Sequence, residues 1–431
     1  LHRTISRQRQ MCIRDRPLGN QTLAFWETKA LAFWETEPLP ALQGQEMWMF
    51  ATPGDINGDG RIDLVVGSKG KEGTIGWLKA PTSPRKLEDW QWHPLQAIAW
   101  VMTIRVMDMD QDGKHEVIIT DYAGGRVIVY EYDVANSAFD VVWSSPVVES
   151  RNHAYNPRTV NVGDLDGDGK HEIVFPSSHV DAEGFHIYEW DGVTGSDNYG
   201  TQPSSICKTE VEICCGDDGS GFRGDHERLT IFDIDGDGQQ ELITAIRRGS
   251  PRGTLVSSLG ATDDIEHNSG GGLETWRQEF LTDNNLHGGG SPYQALPADL
   301  NGDGRFELLN HHWNNFLFYP ITATGPDSYV APDTSAGAVD AFYKATANDQ
   351  VALFGGNAYD VDGDGNHEAY FHSYGWGFAG IGAGDVWVVD YDAADTNAYE
   401  VSGTDTTWHA LPINANHVSS CLLYTSDAAD E

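Results

Sequence analysis

The sequence predicts an all-β protein, a β-propeller of about seven four-stranded blades, and three observations carry that expectation. One nine-residue acidic motif recurs six times, short alternating apolar runs separate its copies, and helical periodicity is sustained nowhere. The copies are DINGDGRID from Asp55, DMDQDGKHE from Asp108, DLDGDGKHE from Asp164, DIDGDGQQE from Asp233, DLNGDGRFE from Asp299 and DVDGDGNHE from Asp360. Their start-to-start spacings are 53, 56, 69, 66 and 61 residues. A strand-like run precedes each copy, such as Val101 to Met107, and another follows it, such as Val117 to Ile119. After a polar turn comes an aromatic-rich run, such as Arg126 to Tyr132, His186 to Trp190 or Asn315 to Tyr319. A weaker fourth run, such as Phe139 to Trp143, closes the unit. Four strands per repeat of this length suit a propeller blade.

Composition narrows the class. The 431 residues include 27 basic and 65 acidic side chains, 39% hydrophobic residues and 11% aromatics. That is enough apolar material for a packed core. A formal charge of −38 argues against a nucleic-acid partner, because phosphate contacts need clustered Lys and Arg. No apolar run approaches the roughly 18 residues of a membrane helix.

Both ends are expected to be foreign to the fold. Met-Cys-Ile-Arg-Asp at residues 11–15 and Cys-Leu-Leu-Tyr-Thr-Ser at 421–426 are what the two strands of one transposase sequencing adapter encode. Residues 1–16 and 421–431 are therefore set aside as adapter-derived. Residues 17–420 form the expected propeller, and the absence of a visible signal peptide carries no information. That core holds 22 basic against 61 acidic residues and three cysteines. At about 60 residues per unit it makes six to seven blades. Two stretches look inserted into the pattern, about 193–224 and about 257–290.

The motif reads as a calcium loop. Oxygens at positions 1, 3 and 5 of a tight turn, a carbonyl at 7 and a carboxylate at 9 can converge on one hard cation, and Gly at position 6 permits the turn. The first copy supplies Asp55, Asn57, Asp59, the Arg61 carbonyl and Asp63; the second, Asp108, Asp110, Asp112, Lys114 and Glu116. The third offers Asp164, Asp166, Asp168, Lys170 and Glu172; the fourth, Asp233, Asp235, Asp237, Gln239 and Glu241. In the fifth stand Asp299, Asn301, Asp303, Arg305 and Glu307, and in the sixth Asp360, Asp362, Asp364, Asn366 and Glu368. All-oxygen ligands disfavour zinc, and the many carboxylates favour calcium over magnesium, with about six structural ions expected. An EF-hand would need Glu at position 12 leading into a helix; here that position is Val66, Ile119, Phe175, Thr244, Asn310 or Phe371, inside a strand-like run. Solvated acidic turns without metal would have to place one five-position pattern six times by accident.

These loops resemble the FG-GAP or VCBS repeats of integrin-α-like β-propellers over nearly all of residues 45–400. The resemblance implies calcium loops joining the first and second strands of each blade on one face. It does not fix a function, since such propellers include adhesion and ligand-binding modules as well as some polysaccharide lyases.

If calcium takes one rim, the opposite rim collects Lys69, Lys71, Arg151, Arg158, Arg223, Arg228, Arg247, Arg248 and Arg252, nine of the 22 basic residues of the core. The same loops hold His153, Tyr155, His226, His287, Tyr293, His312, Trp313, His372, Tyr374 and Trp376. Basic groups among aromatics suit an anionic polysaccharide, although exposed loops are polar in any protein. The expected function is a secreted or cell-surface interaction or carbohydrate-binding module, with a polysaccharide or a cell-surface protein as partner. The alternatives are a lyase of anionic polysaccharides, using His and Tyr for β-elimination, and a scaffold module of a larger adhesin. Arg223-Gly224-Asp225 is an adhesion-type tripeptide too short to weigh, and His311 and His312 point to opposite faces of a strand. A disulfide from Cys207 to Cys214 or Cys215 would fit an oxidising compartment.

Overall fold

The computed structural model describes residues 39–42, 48–68, 70, 72–147, 157–177, 184–207, 225–248, 253–260, 262–271, 274–282, 292–312, 318–331, 351–360, 365–375, 386–389 and 408–411. Their regular structure is almost entirely strand. The first sheet comprises β1 (Trp48–Gly54), β2 (Asp63–Ser68), β3 (Thr74–Lys79) and β4 (Gln91–Ala97). The second is β5 (Val101–Met107), β6 (Glu116–Asp121), β7 (Arg126–Asp133) and β8 (Ala138–Ser144). The third is β9 (Asn161–Gly163), β10 (Glu172–Ser177), β11 (Gly184–Glu189) and β12 (Ser205–Cys207). The fourth is β13 (Asp225–Phe232), β14 (Glu241–Arg248), β15 (Gly253–Leu259) and β16 (Trp276–Leu281). The fifth is β17 (Pro292–Ala298), β18 (Glu307–His312), β19 (Phe318–Gly325) and β20 (Ser328–Val330). The sixth is β21 (Val351–Tyr359), β22 (Glu368–Gly375), β23 (Val386–Val389) and β24 (Trp408–Leu411). Each sheet is an antiparallel meander in chain order, one per acidic motif.

Register fixes the motif in the same place every time. Position 9 opens the second strand and pairs with the last residue of the first: Gly54 with Asp63, Met107 with Glu116, Gly163 with Glu172, Phe232 with Glu241, Ala298 with Glu307 and Tyr359 with Glu368. The eight residues between are a loop closing over that pair.

The core lies between consecutive sheets. Val65, Ile75 and Trp77 of the first sheet pack on Ile104, Val117 and Ile119 of the second. Ile118, Val129 and Trp143 of the second meet Ile173, Phe175 and Tyr188 of the third, and Val174, Phe185 and Ile187 of the third meet Leu229, Leu242 and Leu255 of the fourth. Ile243 and Val256 of the fourth continue onto Leu308, Tyr319 and Ile321 of the fifth. Middle strands of the second, third and fourth sheets are thus covered on both faces, and β6, β11 and β15 are buried at every residue. Fourth strands such as β4 remain largely exposed, as outer edges do.

The first strands meet one another. The Arg105 side chain on β5 donates to Asn161 Oδ1 on β9 at 2.9 Å, and Asn161 Nδ2 donates to the Leu229 carbonyl on β13 at 3.0 Å. Arg228 on β13 reaches β1, its guanidinium 4.8 Å from the Phe50 ring centre.

The six sheets account for one unit per motif, and no strand of a seventh lies among the described residues. The 193–224 stretch supplies β12, the fourth strand of the third sheet, and 257–290 holds the end of β15 and all of β16. Cys207 ends β12, while Cys214 and Cys215 lie outside the described residues.

Candidate metal centres

Within the first five loops the backbone donates to at least one oxygen of every side chain that sequence assigns to a cation. The amide of position 6 donates to the position 1 carboxylate: Gly60 to Asp55 at 2.8 Å, Gly304 to Asp299 at 2.9 Å, and Gly113, Gly169, Gly238 and Gly365 to Asp108, Asp164, Asp233 and Asp360 at 3.1 Å. Position 5 donates to position 3, as Asp168 does to Asp166 at 3.2 Å and Asp59 to Asn57 at 3.1 Å. Position 7 donates to position 5, as Lys170 does to Asp168 and Gln239 to Asp237, both at 2.8 Å. Position 2 donates to the position 9 carboxylate, as Leu165 does to Glu172 at 2.6 Å and Ile234 to Glu241 at 2.8 Å. These bonds orient the side chains before any ion arrives.

The turn needs two left-handed residues rather than the one expected. Positions 4 and 6 both have positive φ: 68° and 80° at Gly58 and Gly60, 75° and 88° at Gly167 and Gly169, 74° and 96° at Gly236 and Gly238. The second loop has Gln111 at position 4 with φ 59°. Its side-chain Nε2 donates to the Gly169 carbonyl of the next loop at 2.9 Å, which favours a side chain at that position.

The loop carboxylates also converge. Carboxylate atoms of Asp164, Asp166, Asp168 and Glu172 all lie within 4.8 Å of one another, and so do those of Asp233, Asp235, Asp237 and Glu241. In the second loop Asp108, Asp110 and Glu116 make the same kind of group. Among the described residues, Asp108 Oδ1, Asp110 Oδ2, Glu116 Oε1, Asp164 Oδ1 and Glu172 Oε1 are buried without a hydrogen-bond partner. Orphaned anionic oxygens facing each other are costly unless a proton or a cation sits between them. Burial, reinforced by neighbouring carboxylates, pushes the carboxyl of Glu172 well above the usual range and those of Glu116 and Glu241 up to about 9. Glu307 is pushed up to about 7 and Asp63 to about 6, again chiefly by burial. The residues present fit a hard divalent cation: clustered oxygen donors, with neither Cys nor His in the groups.

Sequence reasoning missed three features around the loops. Position 8 ties the second, third and fourth loops to the one before: His115 Nδ1 lies 3.1 Å from the Asp55 carbonyl, His171 Nδ1 lies 3.1 Å from the Met109 carbonyl, and Gln240 Oε1 accepts from the Asp164 amide at 3.1 Å. Glu131 and Glu189, cross-strand partners of Glu116 and Glu172, stand beside the loops and hold the position 7 lysines. Lys114 Nζ is 2.6 Å from Glu131 and Lys170 Nζ 3.0 Å from Glu189. The shared tyrosine–glutamate pair at the ends of β7 and β11 was a readable signal for both. Finally, the connection between third and fourth strands of the next sheet folds over the loop. The Ile265 amide donates to Asp166 Oδ2 at 2.7 Å and the Asp327 amide to Asp235 Oδ2 at 2.6 Å.

In the first loop Asp59 pairs with Arg61 and with Lys79 at 3.5 Å, and Asp63 accepts from the Ala80 amide at 2.7 Å. In the fifth, Asn301 Nδ2 donates to Glu307 at 3.4 Å. Asp362 and Asp364 of the sixth loop lie outside the described residues; Asn366 and Glu368 lie within them.

Of the opposite rim, Arg151, His153, Tyr155, Arg223, His287, Trp313 and Trp376 fall outside the described residues. His226, Arg247, Arg248, His372 and Tyr374 have described backbones in β13, β14 and β22. Arg158 places its guanidinium 5.5 Å from the Tyr122 ring centre. Arg228 is 5% exposed, donates to the Tyr293 hydroxyl at 2.7 Å and stacks on that ring as well as on Phe50. His312 is fully buried beside Asn310 and Tyr319. Arg228 and His312 therefore face inward, where first and second strands pack, and not the rim on which the sequence reading put them.

A family model described as an FG-GAP-like repeat matches residues 55–119 and 108–175. Each match begins at the first aspartate of a loop, and the chain thus carries FG-GAP-like repeats. Cartilage acidic protein 1 of Mus musculus is 25% identical over 274 residues, covering 52% of this chain and 42% of the relative. The Homo sapiens protein of that name is 25% identical over 263 residues, covering 49% of this chain and 39% of the relative. The matched segments thus span less than half the length of either relative. No helix among the described residues is long and apolar enough to cross a membrane.

Proposed function

We propose that this protein is a calcium-stabilised β-propeller that works outside the cell as an interaction or carbohydrate-binding module. The observation that carries the calcium part is the convergence of the loop carboxylates within 4.8 Å, together with buried oxygens of the second and third loops that accept no hydrogen bond. Calcium suits them because it takes six to eight oxygens in a flexible shell. Its role is structural: it neutralises carboxylates that repel one another and so pins the loops to the sheets. Closure about a central axis is supported by cores between consecutive sheets and by Arg228 of the fourth sheet lying on Phe50 of the first. Six or seven blades satisfy these contacts. An extracellular site of action rests on the FG-GAP-like repeats and on calcium levels, which are high outside cells.

The lyase reading has one observation in its favour. Arg228, Tyr293 and His311 stand together, with the Tyr293 and His311 ring centres 5.5 Å apart. All three are buried, at 5%, 2% and 0% exposure, which removes them from a polysaccharide passing over the rim and favours binding over catalysis. A panel of acidic polysaccharides tests both readings on the calcium-loaded protein. The expected result is retention on at least one immobilised polysaccharide with no rise in the ultraviolet absorbance of unsaturated uronate. A rise abolished by Tyr293→Phe would make the protein a lyase, and no retention across the panel would move the partner from sugar to protein.

A further inference from the structure

The second loop differs from the third and fourth at one oxygen. In those two, Oδ2 of the position 3 aspartate is satisfied by a backbone amide of the following sheet, from Ile265 or Asp327. In the second loop the corresponding connection, between β11 and β12, brings the Gly195 amide to the Asp110 carbonyl at 3.2 Å instead. Two residues later it presents the Asp197 carboxylate. Asp110 Oδ2, Asp197 Oδ1 and Glu116 Oε1 are all buried with no hydrogen-bond partner. Where its two counterparts have a backbone donor for this oxygen, this loop leaves it without one, and the same connection brings in a further carboxylate, Asp197.

The geometry is specific. Carboxylate atoms of Glu116, Glu131 and Asp197 lie within 4.8 Å of one another, a group separate from the Asp108, Asp110 and Glu116 set but sharing Glu116 with it. Asp110 and Glu116 are fully buried. Lys114 pairs with Glu131 and Asp112 on the exposed side, with 46% of its side chain accessible, and so neutralises the outer edge of the cluster. Asp110, Glu116 and Asp197 each keep a buried oxygen that Lys114 does not satisfy.

We propose that the second loop carries a second divalent cation, held by Asp110, Glu116, Glu131 and Asp197, with Glu116 shared between it and the loop ion. The inference rests on the calcium-loop reading and extends it. Calcium is the cation of choice, since the donors are carboxylates drawn from three segments and no rigid octahedral frame is imposed. Because Asp197 belongs to the third sheet and the other three ligands to the second, the ion is a clasp between neighbouring sheets.

The test counts calcium bound at saturation, by equilibrium dialysis and atomic emission, for the full chain and for Asp197→Asn and Glu131→Gln. We expect each variant to hold one ion fewer than the parent, or to lose at least tenfold in the affinity of one ion, with the others unchanged. Asparagine keeps the shape of Asp197 and removes a repelling charge, so melting in excess EDTA should be no lower for Asp197→Asn than for the parent. Should one variant fold poorly, the other reads the same site. Equal counts and affinities in the parent and both variants would overturn the second cation while leaving the loop ions standing; a proton shared by Asp110 and Asp197 would give that result. No calcium uptake by the parent would overturn both.

Discussion

The two ends of the sheets treat charge in opposite ways. At the loop ends, carboxylates are drawn together and left without partners: Asp108, Asp164, Glu116 and Glu172 each keep a buried oxygen that nothing in the chain satisfies. Away from the loops, buried or half-buried bases receive partners from the chain itself. Arg228 has the Tyr293 hydroxyl and two aromatic faces, Arg105 has Asn161 and the Ile104 carbonyl, and Arg158 has Tyr122. A charge that the fold has already satisfied asks nothing of a ligand, whereas converging unsatisfied charges demand one. The loops are therefore the candidate cation sites, and the basic residues seen here belong first to the core.

Chelation should separate the two ends most strongly. A site that is hundredfold saturated adds about 2.7 kcal/mol, so several sites together should hold the melting temperature at least about 10 °C above its value in excess EDTA. An unchanged melting temperature would break the comparison outright.

Acidity should sharpen it. In the metal-free protein Glu116 and Glu241 are pushed up to about 9, Glu307 to about 7 and Asp63 to about 6. A carboxyl with a raised folded pKa binds its proton more tightly folded than unfolded. That contribution is complete below about pH 4 and is lost as pH rises through the folded values. Metal-free protein should therefore melt several degrees lower at pH 9 than at pH 5, and calcium should remove or reverse that trend. Thermal scans at both pH values check the sign.

Single substitutions act locally. Glu172→Gln keeps an acceptor for the Leu165 amide but removes a ligand charge, and should cost about 3 kcal/mol in calcium while costing nothing in EDTA. Arg228→Met should cost about 2 kcal/mol in both conditions, because its partners are internal. If the chelator changed the Arg228→Met penalty as much as the Glu172→Gln penalty, the distinction between the two ends would fail. The smallest effect is expected at Gln111→Gly, where relief of a positive φ worth about 1 kcal/mol is offset by the lost bond to Gly169.

The loops were legible because their periodicity is written in consecutive residues. Positions 1, 3, 5 and 9 recur at fixed offsets, and the strand pairing that closes them follows from the flanking apolar runs. What escaped the sequence was set by neighbours distant along the chain. Asp197 lies 81 residues from Glu116, and only the fold of the β11–β12 connection over the second loop brings them together. Position 4 was obscured by Gln111, the one non-glycine there among the first five loops. Sequence puts Arg228 and His312 in loops of the opposite rim, but they lie within strands β13 and β18. The meeting of the first strands buries one, and packing between sheets buries the other, each with an aromatic partner.

The most direct test of the central claim is calorimetric titration of calcium into metal-free protein at pH 7, in two buffers of different ionisation enthalpy. The account requires uptake of several ions with release of protons, because carboxyls such as Glu116 and Glu241 must lose theirs to bind. Binding heats that report no proton release would mean that these carboxyls are already ionised, and no uptake at all would contradict the claim that the loops exist to hold cations.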